Sequence, residues 1–280
     1  LERVAPGWDR DNSLLRAGLS VSDDDVVAAH RVQKEALIKL VNTRYAPGAE
    51  LPGGGTVPGV PDGSLDASRF TIGFARRATG YKRMDLLLSD QDRLAALAER
   101  FGPIQILFAG KAHPHDHAGK DLIRNVLAAA AALAERRVHV RFLPNYEVEL
   151  CRAMVQGVDI WVNTPLPPLE ASGTSGMKAA MNAVPQLSVI DGWWVEGWVE
   201  GVTGWAIGED DFSAGRTNYD ELRGLHARAL YDALERTILP LWMNDRAGWA
   251  RVMKGALGVN GAYFNTHRMV EQYAARAYAD

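Results

Sequence analysis

The sequence has one cysteine, Cys151, so it cannot form an intramolecular disulfide. Such sparing use of cysteine is typical of a reducing compartment, and we expect a cytoplasmic protein. Cys151 lies in an apolar stretch and is expected to be a small core residue. No apolar run has membrane-spanning length, and the first residues lack the core of a signal peptide. We therefore expect no membrane segment.

The chain also lacks an excess of positive charge. Lysine and arginine number 31 against 34 acidic residues, and the formal net charge is −3 at pH 7. A nucleic-acid-binding surface is normally basic, so this balance argues against a nucleic-acid partner. No internal repeat is present. With 280 residues, 47% of them hydrophobic, the chain can bury the core of one large domain or two small ones.

Three familiar site motifs are missing. His113, His115 and His117 fall one residue short of a His-x-His-x-Asp-His motif, and no distant ligand is evident, so we expect no metal site. Lys178 is followed by alanine, which excludes a Gly-x-x-x-x-Gly-Lys-Ser/Thr phosphate loop. The serines before it do not stand in Gly-x-Ser-x-Gly, so a nucleophile elbow is unsupported.

What is present is an alternation of strand-like and helical segments. A first helix is expected over Ser22–Tyr45, capped by Ser22. The later strands are expected at Phe70–Ala75, Ile104–Ala109, Val138–Leu143, Val158–Val162 and Gln186–Ile190. Between them, helices are expected near Met84–Phe101, Asp116–Glu135 and Glu147–Gln156, and the chain beyond Glu209 is expected to be helical, ending in 267–279.

This alternation predicts an α/β fold with a doubly wound parallel sheet, of the Rossmann-like kind. We expect a single domain, with a helical lead-in over 1–45 and a glycine- and proline-rich loop over 46–68. The Rossmann-like core is expected over 69–208 and C-terminal helices over 209–280. Ligands of such sheets bind beyond the carboxyl ends of the strands, so the segments that follow the strands are the functional candidates.

The segment Glu170–Lys178 is the most informative of these. It combines a carboxylate, hydroxyl groups, two glycines and a lysine just before an expected helix, Met177–Ala183. Glycines let backbone N–H groups approach a ligand, and a helix N-terminus favours negative charge. Lys178 can form a Schiff base with a carbonyl or with pyridoxal phosphate, or it can be a solvated surface charge. The residues alone leave both interpretations open.

Basic and aromatic residues supply further candidates. The first strand leads into four cations and a tyrosine: Arg76, Arg77, Tyr81, Lys82 and Arg83. Arginines at a strand end can hold a phosphate with paired hydrogen bonds, although basic residues are also common in solvated loops. Lys111, after the second strand, is expected to face the same crevice. Four tryptophans could stack on sugar rings or belong to the core, namely Trp193, Trp194, Trp198 and Trp205.

Together these elements resemble an α-glucan (glycogen, starch or maltodextrin) phosphorylase of the shorter bacterial type. The matching residues are Arg77 with Tyr81-Lys82-Arg83, Gly110-Lys111-Ala112, Phe142 with Asn145-Tyr146, Glu170-Ala-Ser-Gly-Thr-x-x-Met-Lys178 and Asp191-Gly192. The resemblance covers essentially the whole chain but only the C-terminal half of the family enzyme. It implies the GT-B arrangement, in which two Rossmann-like domains face each other across a cleft, and it makes the N-terminal domain an expected partner.

The resemblance also implies an activity and site residues. The family transfers a terminal α-1,4-linked glucose to inorganic phosphate and releases glucose 1-phosphate with retained configuration. Pyridoxal 5′-phosphate would be bound by Lys178 as a Schiff base, with Thr174, Ser175, Tyr146 and Arg76 around its phosphate. The catalytic residues Arg77 and Lys82 would bind the substrate phosphate. The terminal glucose would be bound by Glu170, Ala171, Ser172, Gly173 and Tyr81.

Some positions depart from the family pattern. Glu147 stands where many members have arginine, Thr79 and Gly80 replace a His-Glu pair, and Ser175 and Gly176 replace Gly-Asn. These changes alter the shell expected around the cofactor phosphate.

Two other functions remain open from the residues. A GT-B glycosyltransferase would bind a sugar nucleotide and would not need Lys178. A non-catalytic domain would bind a sugar or phosphate without turnover. Because the family's cleft needs both walls, we expect this chain alone to be inactive, and an apolar interface left exposed could drive formation of a homo-oligomer.

Overall fold

The computed structural model describes the chain except for residues 1, 3, 52, 53, 60–62, 212, 217, 279 and 280. Residues 52, 53 and 60–62 belong to the predicted loop 46–68, and residue 279 to the predicted last helix, so these parts of the predictions lie outside the described residues. In the part of the chain that the structure describes, no helix is long and apolar enough to cross a membrane.

Six parallel strands form one sheet among the described residues. They are β1 Phe70–Ala75, β2 Ile104–Ala109, β3 Val138–Leu143, β4 Ile160–Asn163, β5 Gln186–Val189 and β6 Gly204–Ile207. Their order is β3-β2-β1-β4-β5-β6, so the chain winds outwards in both directions from the pair β1 and β4. The predicted α/β fold with a doubly wound parallel sheet is confirmed.

The strands form where the sequence has short continuous apolar runs. All six residues of β1 and all six of β2 are buried, as expected for parallel strands covered by helices on both faces. Phe74 and Phe108 pack side by side on one face, with ring centroids 5.5 Å apart. On the other face, Leu107 and Trp161 belong to a second apolar cluster that includes Leu37 from the first helix.

Two strand predictions need correction. Strand β6 was not predicted, because four residues that start with glycine give a weak strand signal. Gly204 is required here, since a Cβ at this position would lie 2.1 Å from the carbonyl oxygen of Gln186 in β5. Strand β4 begins two residues later than predicted, because the side chain of Asp159 is engaged by the backbone N–H of Thr71 at 2.7 Å.

Helices cover both faces of the sheet. They are α1 Asp23–Arg44, α2 Gln91–Phe101, α3 His117–Leu133, α4 Val148–Gly157, α5 Thr174–Ala180, α6 Trp194–Gly197, α7 Tyr219–Ala233, α8 Leu239–Asn244, α9 Arg246–Gly255 and α10 Thr266–Tyr273. Shorter helical turns are 3₁₀ over Asn12–Ser20, Gly80–Lys82 and Leu86–Leu88, and π over Leu234–Ile238, Ala256–Gly261 and Ala274–Tyr278. The predicted cap of α1 is confirmed, since Ser22 Oγ accepts from Asp25 N at 3.1 Å.

Three helix predictions differ from the structure. The segment Met84–Phe101 is not one helix, because Asp90 caps a new helix by accepting from the backbone N–H of Arg93. The described residues between Glu209 and Tyr219 form turns and irregular backbone, and α7 begins only at Tyr219. The helix predicted for 177–183 begins three residues earlier, after Gly173 in the left-handed conformation, and ends at residue 180.

The tryptophans are mostly core residues. Trp193, Trp194 and Trp205 are buried, and Trp205 stacks on Trp249 with centroids 5.7 Å apart. Of the four candidates, only Trp198 is exposed enough to meet a ligand ring. Cys151 is half-buried against the second apolar cluster.

A buried ion pair joins the lead-in helix to the sheet. Lys34 of α1 donates to Asp159 at 2.5 Å and to the backbone carbonyl of Arg69 at 2.6 Å. Burial favours the neutral form of Asp159, but the charge of Lys34 and the hydrogen bond from His30 outweigh it and lower the pKa of Asp159. The contact fixes α1 at the amino ends of β1 and β4, away from their carboxyl ends.

Candidate functional site

The candidate residues meet where the strand order reverses, at the carboxyl ends of β1 and β4. In doubly wound sheets this switch point is where ligands bind, because the loops after the two strands diverge and leave a crevice. The loop after β1 and the loop after β4 are joined there by a hydrogen bond from Leu166 N to the carbonyl oxygen of Tyr81 at 2.8 Å.

Glu170 is the centre of the charged cluster. Its carboxylate accepts from Lys82 Nζ at 2.6 Å and from the guanidinium of Arg76, and all three side chains are buried. Burial alone would raise the pKa of Glu170, but the hydrogen bond from Lys82 and the charge of Arg76 outweigh it, so the pKa of Glu170 is lowered. Glu170 is therefore an ionised acceptor between two cations.

Two residues that the sequence analysis did not assign to the site hold this cluster in place. Asn163, the last residue of β4, accepts from Arg76 through Oδ1. Asp191 accepts from the backbone N–H of Glu170 and from that of Gly192, both at 2.9 Å. Burial raises the pKa of Asp191, although these two N–H groups oppose the shift. Asn163 could have been found from its position at the end of a strand. Asp191 was named only as part of a motif that resembles the family, without a role.

Glycine is needed where the segment after β5 touches the loop after β4. Gly192 has φ +56°, and a Cβ there would lie 2.5 Å from the carbonyl oxygen of Ser172. The N–H of Trp193 donates to the same carbonyl at 2.8 Å. The segment after β5 thus contacts the backbone of residues 170–173. Only glycine at position 192 allows the two backbones to come this close.

An open cavity of about 380 Å³ lies over the cluster. It is lined by Arg76, Arg77, Tyr81, Lys82, Glu170, Ser172, Gly173, Thr174 and Ser175. Three cations and one carboxylate therefore face the same space, which favours an anionic ligand. Arg77 is exposed, and its guanidinium has no partner among the described residues. Lys82 Nζ also lies 4.5 Å from the ring centroid of Tyr81.

Helix α5 places unpaired backbone donors at this cavity and a lysine about one turn further along the helix. Gly173 precedes the helix with φ +86° and gives no side-chain cap. Within the described chain, the backbone N–H groups of Thr174 and Ser175 have no protein acceptor. Lys178, in the second turn, is exposed, and its ammonium has no partner among the described side chains. The hydroxyl of Ser175 accepts from Trp161 Nε1 at 3.3 Å and can still donate its own hydrogen. Unpaired amides, two hydroxyls and a free lysine on one short helix fit a phosphorylated aldehyde such as pyridoxal phosphate.

Three of the predicted site residues do not line the cavity. Lys178 lies on the helix beyond its rim, and Ala171 is exposed to solvent. Tyr146 follows β3, two strands away from β1, and packs against the second apolar cluster near Cys151. Burial, with a smaller contribution from Cys151, raises the pKa of Tyr146. The phenol is therefore neutral at physiological pH.

Lys111 and the histidines lie apart from the charged cluster. Lys111 forms an exposed ion pair with Glu147 at 3.5 Å. Glu147 is the glutamate that stands where many family members have arginine. His113 and His115 are exposed. Across the described residues, no group of three or more His, Cys, Asp or Glu side chains could hold a metal ion.

A buried network behind the cavity was not expected from the sequence. Arg83 is fully buried, and its guanidinium donates to His226 Nδ1 at 2.7 Å. His226 Nε2 lies 2.6 Å from Asp211 Oδ2, and Arg216 donates to the other oxygen of Asp211 at 2.9 Å. Burial lowers the pKa of Arg83 to about 10. Because arginine can only donate, His226 Nδ1 must accept, and the ring is neutral with its proton on Nε2.

This arrangement makes the protein less stable in acid. Burial lowers the pKa of His226 below its usual 6.5, and the charge of Arg83 adds to that effect while the hydrogen bond to Asp211 opposes it. The unfolded chain therefore takes up a proton at higher pH than the folded chain. We expect the free energy of unfolding to fall as the pH drops from about 6.5 through the folded pKa.

The His226→Asn variant isolates this contribution. Asparagine keeps a carbonyl acceptor for Arg83 but does not titrate, so the variant should lose less stability than the unmodified chain between about pH 7 and pH 5. Urea unfolding at several pH values measures the difference. Parallel pH dependences in the two proteins would show that His226 does not contribute.

Comparison with known proteins agrees with this geometry. The family description "Carbohydrate phosphorylase" matches residues 76–276. The chain is 40% identical over 262 residues to a maltodextrin phosphorylase of Thermococcus litoralis. This match covers 92% of the chain and 30% of that protein. It is 43% identical over 223 residues to a glycogen phosphorylase of Aquifex aeolicus, covering 77% of the chain and 31% of that protein.

A glycogen phosphorylase of Mycobacterium tuberculosis is 41% identical over 222 residues, covering 77% of the chain and 25% of the relative. The chain thus spans no more than 31% of the length of these three relatives. The matched region 76–276 includes the loops after β1 and β4 and the network around Arg83. The chain belongs to the carbohydrate phosphorylase family.

Proposed function

We propose that this chain supplies the phosphate- and glucose-binding part of a pyridoxal-phosphate-dependent α-glucan phosphorylase. The proposed reaction is phosphorolysis of a terminal α-1,4-linked glucose to glucose 1-phosphate with retained configuration. The observation that carries the proposal is the cluster at the switch point, where Glu170 lies between two buried cations while Arg77 is left unpaired at the cavity. Membership of the carbohydrate phosphorylase family supports the proposed substrate class.

Arg77 and Lys82 are proposed to bind the substrate phosphate. Arg77 is exposed at the cavity and can offer paired N–H donors, and Lys82 adds a charge held by Glu170 at 2.6 Å. Phosphate entering this space meets three cations and a single carboxylate. The attraction strengthens as water is displaced, so these two side chains would also stabilise the negative charge that surrounds the reacting glucose.

Other residues that line the cavity are proposed to bind the glucose. The ionised carboxylate of Glu170 is an acceptor for sugar hydroxyls, and Ser172 and Gly173 present polar groups beside it. Tyr81 also lines the cavity. Ala171 does not line the cavity, so its part would be limited to the backbone.

The cofactor is proposed to be held by Lys178, and its phosphate would supply a group that gives and takes a proton. Thr174 and Ser175 offer hydroxyls and unpaired backbone N–H groups for that phosphate. Arg76 is engaged with Glu170, and Tyr146 lies outside the cavity, so their support for the cofactor is less direct. A sugar-nucleotide transferase would have no use for Lys178.

The cavity is open on one side, and the family's second domain is proposed to close it. The chain alone would leave the phosphate site wet, where electrostatic interactions are weak. We therefore expect it to release no glucose 1-phosphate from maltoheptaose and phosphate.

Binding of inorganic phosphate tests the proposal on this chain. The Lys82→Met variant removes one phosphate donor while keeping an unbranched side chain that is only one atom shorter, and we expect at least about a tenfold rise in the dissociation constant for phosphate. Lys39→Met, at an exposed position on α1, serves as the matched control and should bind like the unmodified chain. Titration calorimetry measures all three. Equal affinities for the two variants would contradict the assigned role of Lys82.

A further inference from the structure

Arg83 has an unusual environment for a charged residue. It is fully buried, and its hydrogen-bond partners among the described residues include no carboxylate. Its Nε donates to the carbonyl oxygen of Thr164 at 2.9 Å, and one terminal nitrogen donates to that of Pro165 at 2.5 Å. Both carbonyls belong to the loop that follows β4. A residue on the loop after β1 therefore holds the backbone of the loop after β4.

The second loop bonds back to the first. Thr164 Oγ1 lies 3.0 Å from the carbonyl oxygen of Lys82 and 3.1 Å from that of Arg83. Arg83 has φ +47°, a left-handed conformation that bends the backbone directly after Lys82. Thr164 thus holds the backbone of Lys82 in place. Glu170, which contacts the side chain of Lys82, lies six residues further along the same loop.

The orientation of Arg83 is set from outside the two loops. His226 on α7 accepts from the guanidinium through Nδ1 at 2.7 Å, and its Nε2–H donates to Asp211 at 2.6 Å. The neutral imidazole ring of His226 therefore lies between the guanidinium of Arg83 and the carboxylate of Asp211. A planar fork that meets two carbonyls and a ring nitrogen cannot be reproduced by the single ammonium group of lysine.

We propose that Arg83, oriented by His226 and Asp211, is a positioning residue that holds Lys82 against Glu170 in the phosphate site. The inference rests on the proposed function, because it assigns to Arg83 an effect on ligand binding that is exerted through Lys82. Arg83 itself does not line the cavity and would not touch phosphate. A purely structural arginine would affect unfolding but not the affinity of the folded chain for phosphate.

A double-mutant cycle separates these roles. Phosphate affinity is measured by titration calorimetry for the unmodified chain, Arg83→Lys, Lys82→Met and the double variant. We expect Arg83→Lys to weaken binding about tenfold, and the double variant to bind no more weakly than Lys82→Met alone. An unchanged affinity in Arg83→Lys overturns the inference. So does a loss that adds in full to that of Lys82→Met, because Arg83 would then act independently of Lys82.

The two proposals fail in different ways in this cycle. If Lys82→Met binds phosphate as well as the unmodified chain does, the proposed function fails at Lys82, whatever Arg83 does. If Lys82→Met is impaired and Arg83→Lys is not, only the inference about Arg83 fails. Circular dichroism at the titration temperature confirms that each variant is folded.

A second pair of variants covers the case in which Arg83→Lys does not fold. His226→Leu removes the acceptor that orients Arg83, whereas His226→Asn supplies a carbonyl oxygen in place of Nδ1. We expect His226→Leu to weaken phosphate binding and His226→Asn to restore most of the affinity. Equal affinities in the two His226 variants overturn the inference, since a positioning role depends on the acceptor.

Discussion

Replacement of Lys178 by alanine is expected to abolish the reducible adduct between this chain and pyridoxal phosphate, with the fold unchanged. The ammonium of Lys178 is exposed and has no partner among the described side chains, so its removal leaves no buried group unsatisfied. Alanine also has a higher helix propensity than lysine and suits the second turn of α5. Absorbance after borohydride reduction, followed by mass measurement of the intact chain, reports the adduct.

Lys111→Ala is the matched control for this loss. Lys111 is also exposed at the carboxyl edge of the sheet, but it is paired with Glu147 at 3.5 Å and follows β2. We expect this variant to keep the full adduct. An adduct retained in Lys178→Ala would show that pyridoxal phosphate reacts with other lysines. An adduct lost equally in both variants would show that the loss is not specific to Lys178.

Replacement of Glu170 by glutamine is expected to lower the free energy of unfolding by about 3 kcal/mol. The substitution keeps the shape of the side chain but leaves Arg76 and Lys82 buried without their shared carboxylate. The value lies at the lower end for a broken buried pair, because the open cavity lets some water reach the two cations. Urea unfolding monitored by circular dichroism measures the change.

Phosphate should restore part of this loss. An anion that binds the two uncompensated cations stabilises the folded state in proportion to the logarithm of its concentration. Glu149→Gln breaks an exposed ion pair with Arg44 at 3.0 Å and serves as the control, with an expected loss below about 1 kcal/mol. Equal losses for the two variants would mean that the cluster around Glu170 is solvated like a surface pair.

The sheet could be predicted from the sequence because most of its strands are continuous apolar runs. The bounds predicted for β1, β2 and β3 are those found. Strand β6 escaped prediction because its pairing depends on contact with Gln186 in β5, which a local pattern does not contain. The helix expected from Met84 was interrupted for a local reason, the cap formed by Asp90.

The site could be predicted in part for a geometric reason. Parallel strands end at one edge, so the segments after the strands were the functional candidates, and Arg77, Lys82 and Glu170 do line one cavity. The network behind it could not be predicted, because Arg83 and His226 are 143 residues apart and meet only through the packing of α7. Tyr146 was expected at the site but lies outside the cavity. It belongs to a motif in the expected order along the chain, but it follows β3, which lies two positions away from β1 in the sheet.

The central claim is that the cavity at the switch point binds phosphate beside a cofactor held by Lys178. A crystal structure of this chain with pyridoxal phosphate and arsenate tests it directly, because the anomalous signal of arsenic marks the anion. We predict arsenate within hydrogen-bonding distance of Arg77 and Lys82, and cofactor density joined to Lys178. Arsenate bound elsewhere with this cavity empty, or cofactor attached to another lysine, would contradict the account.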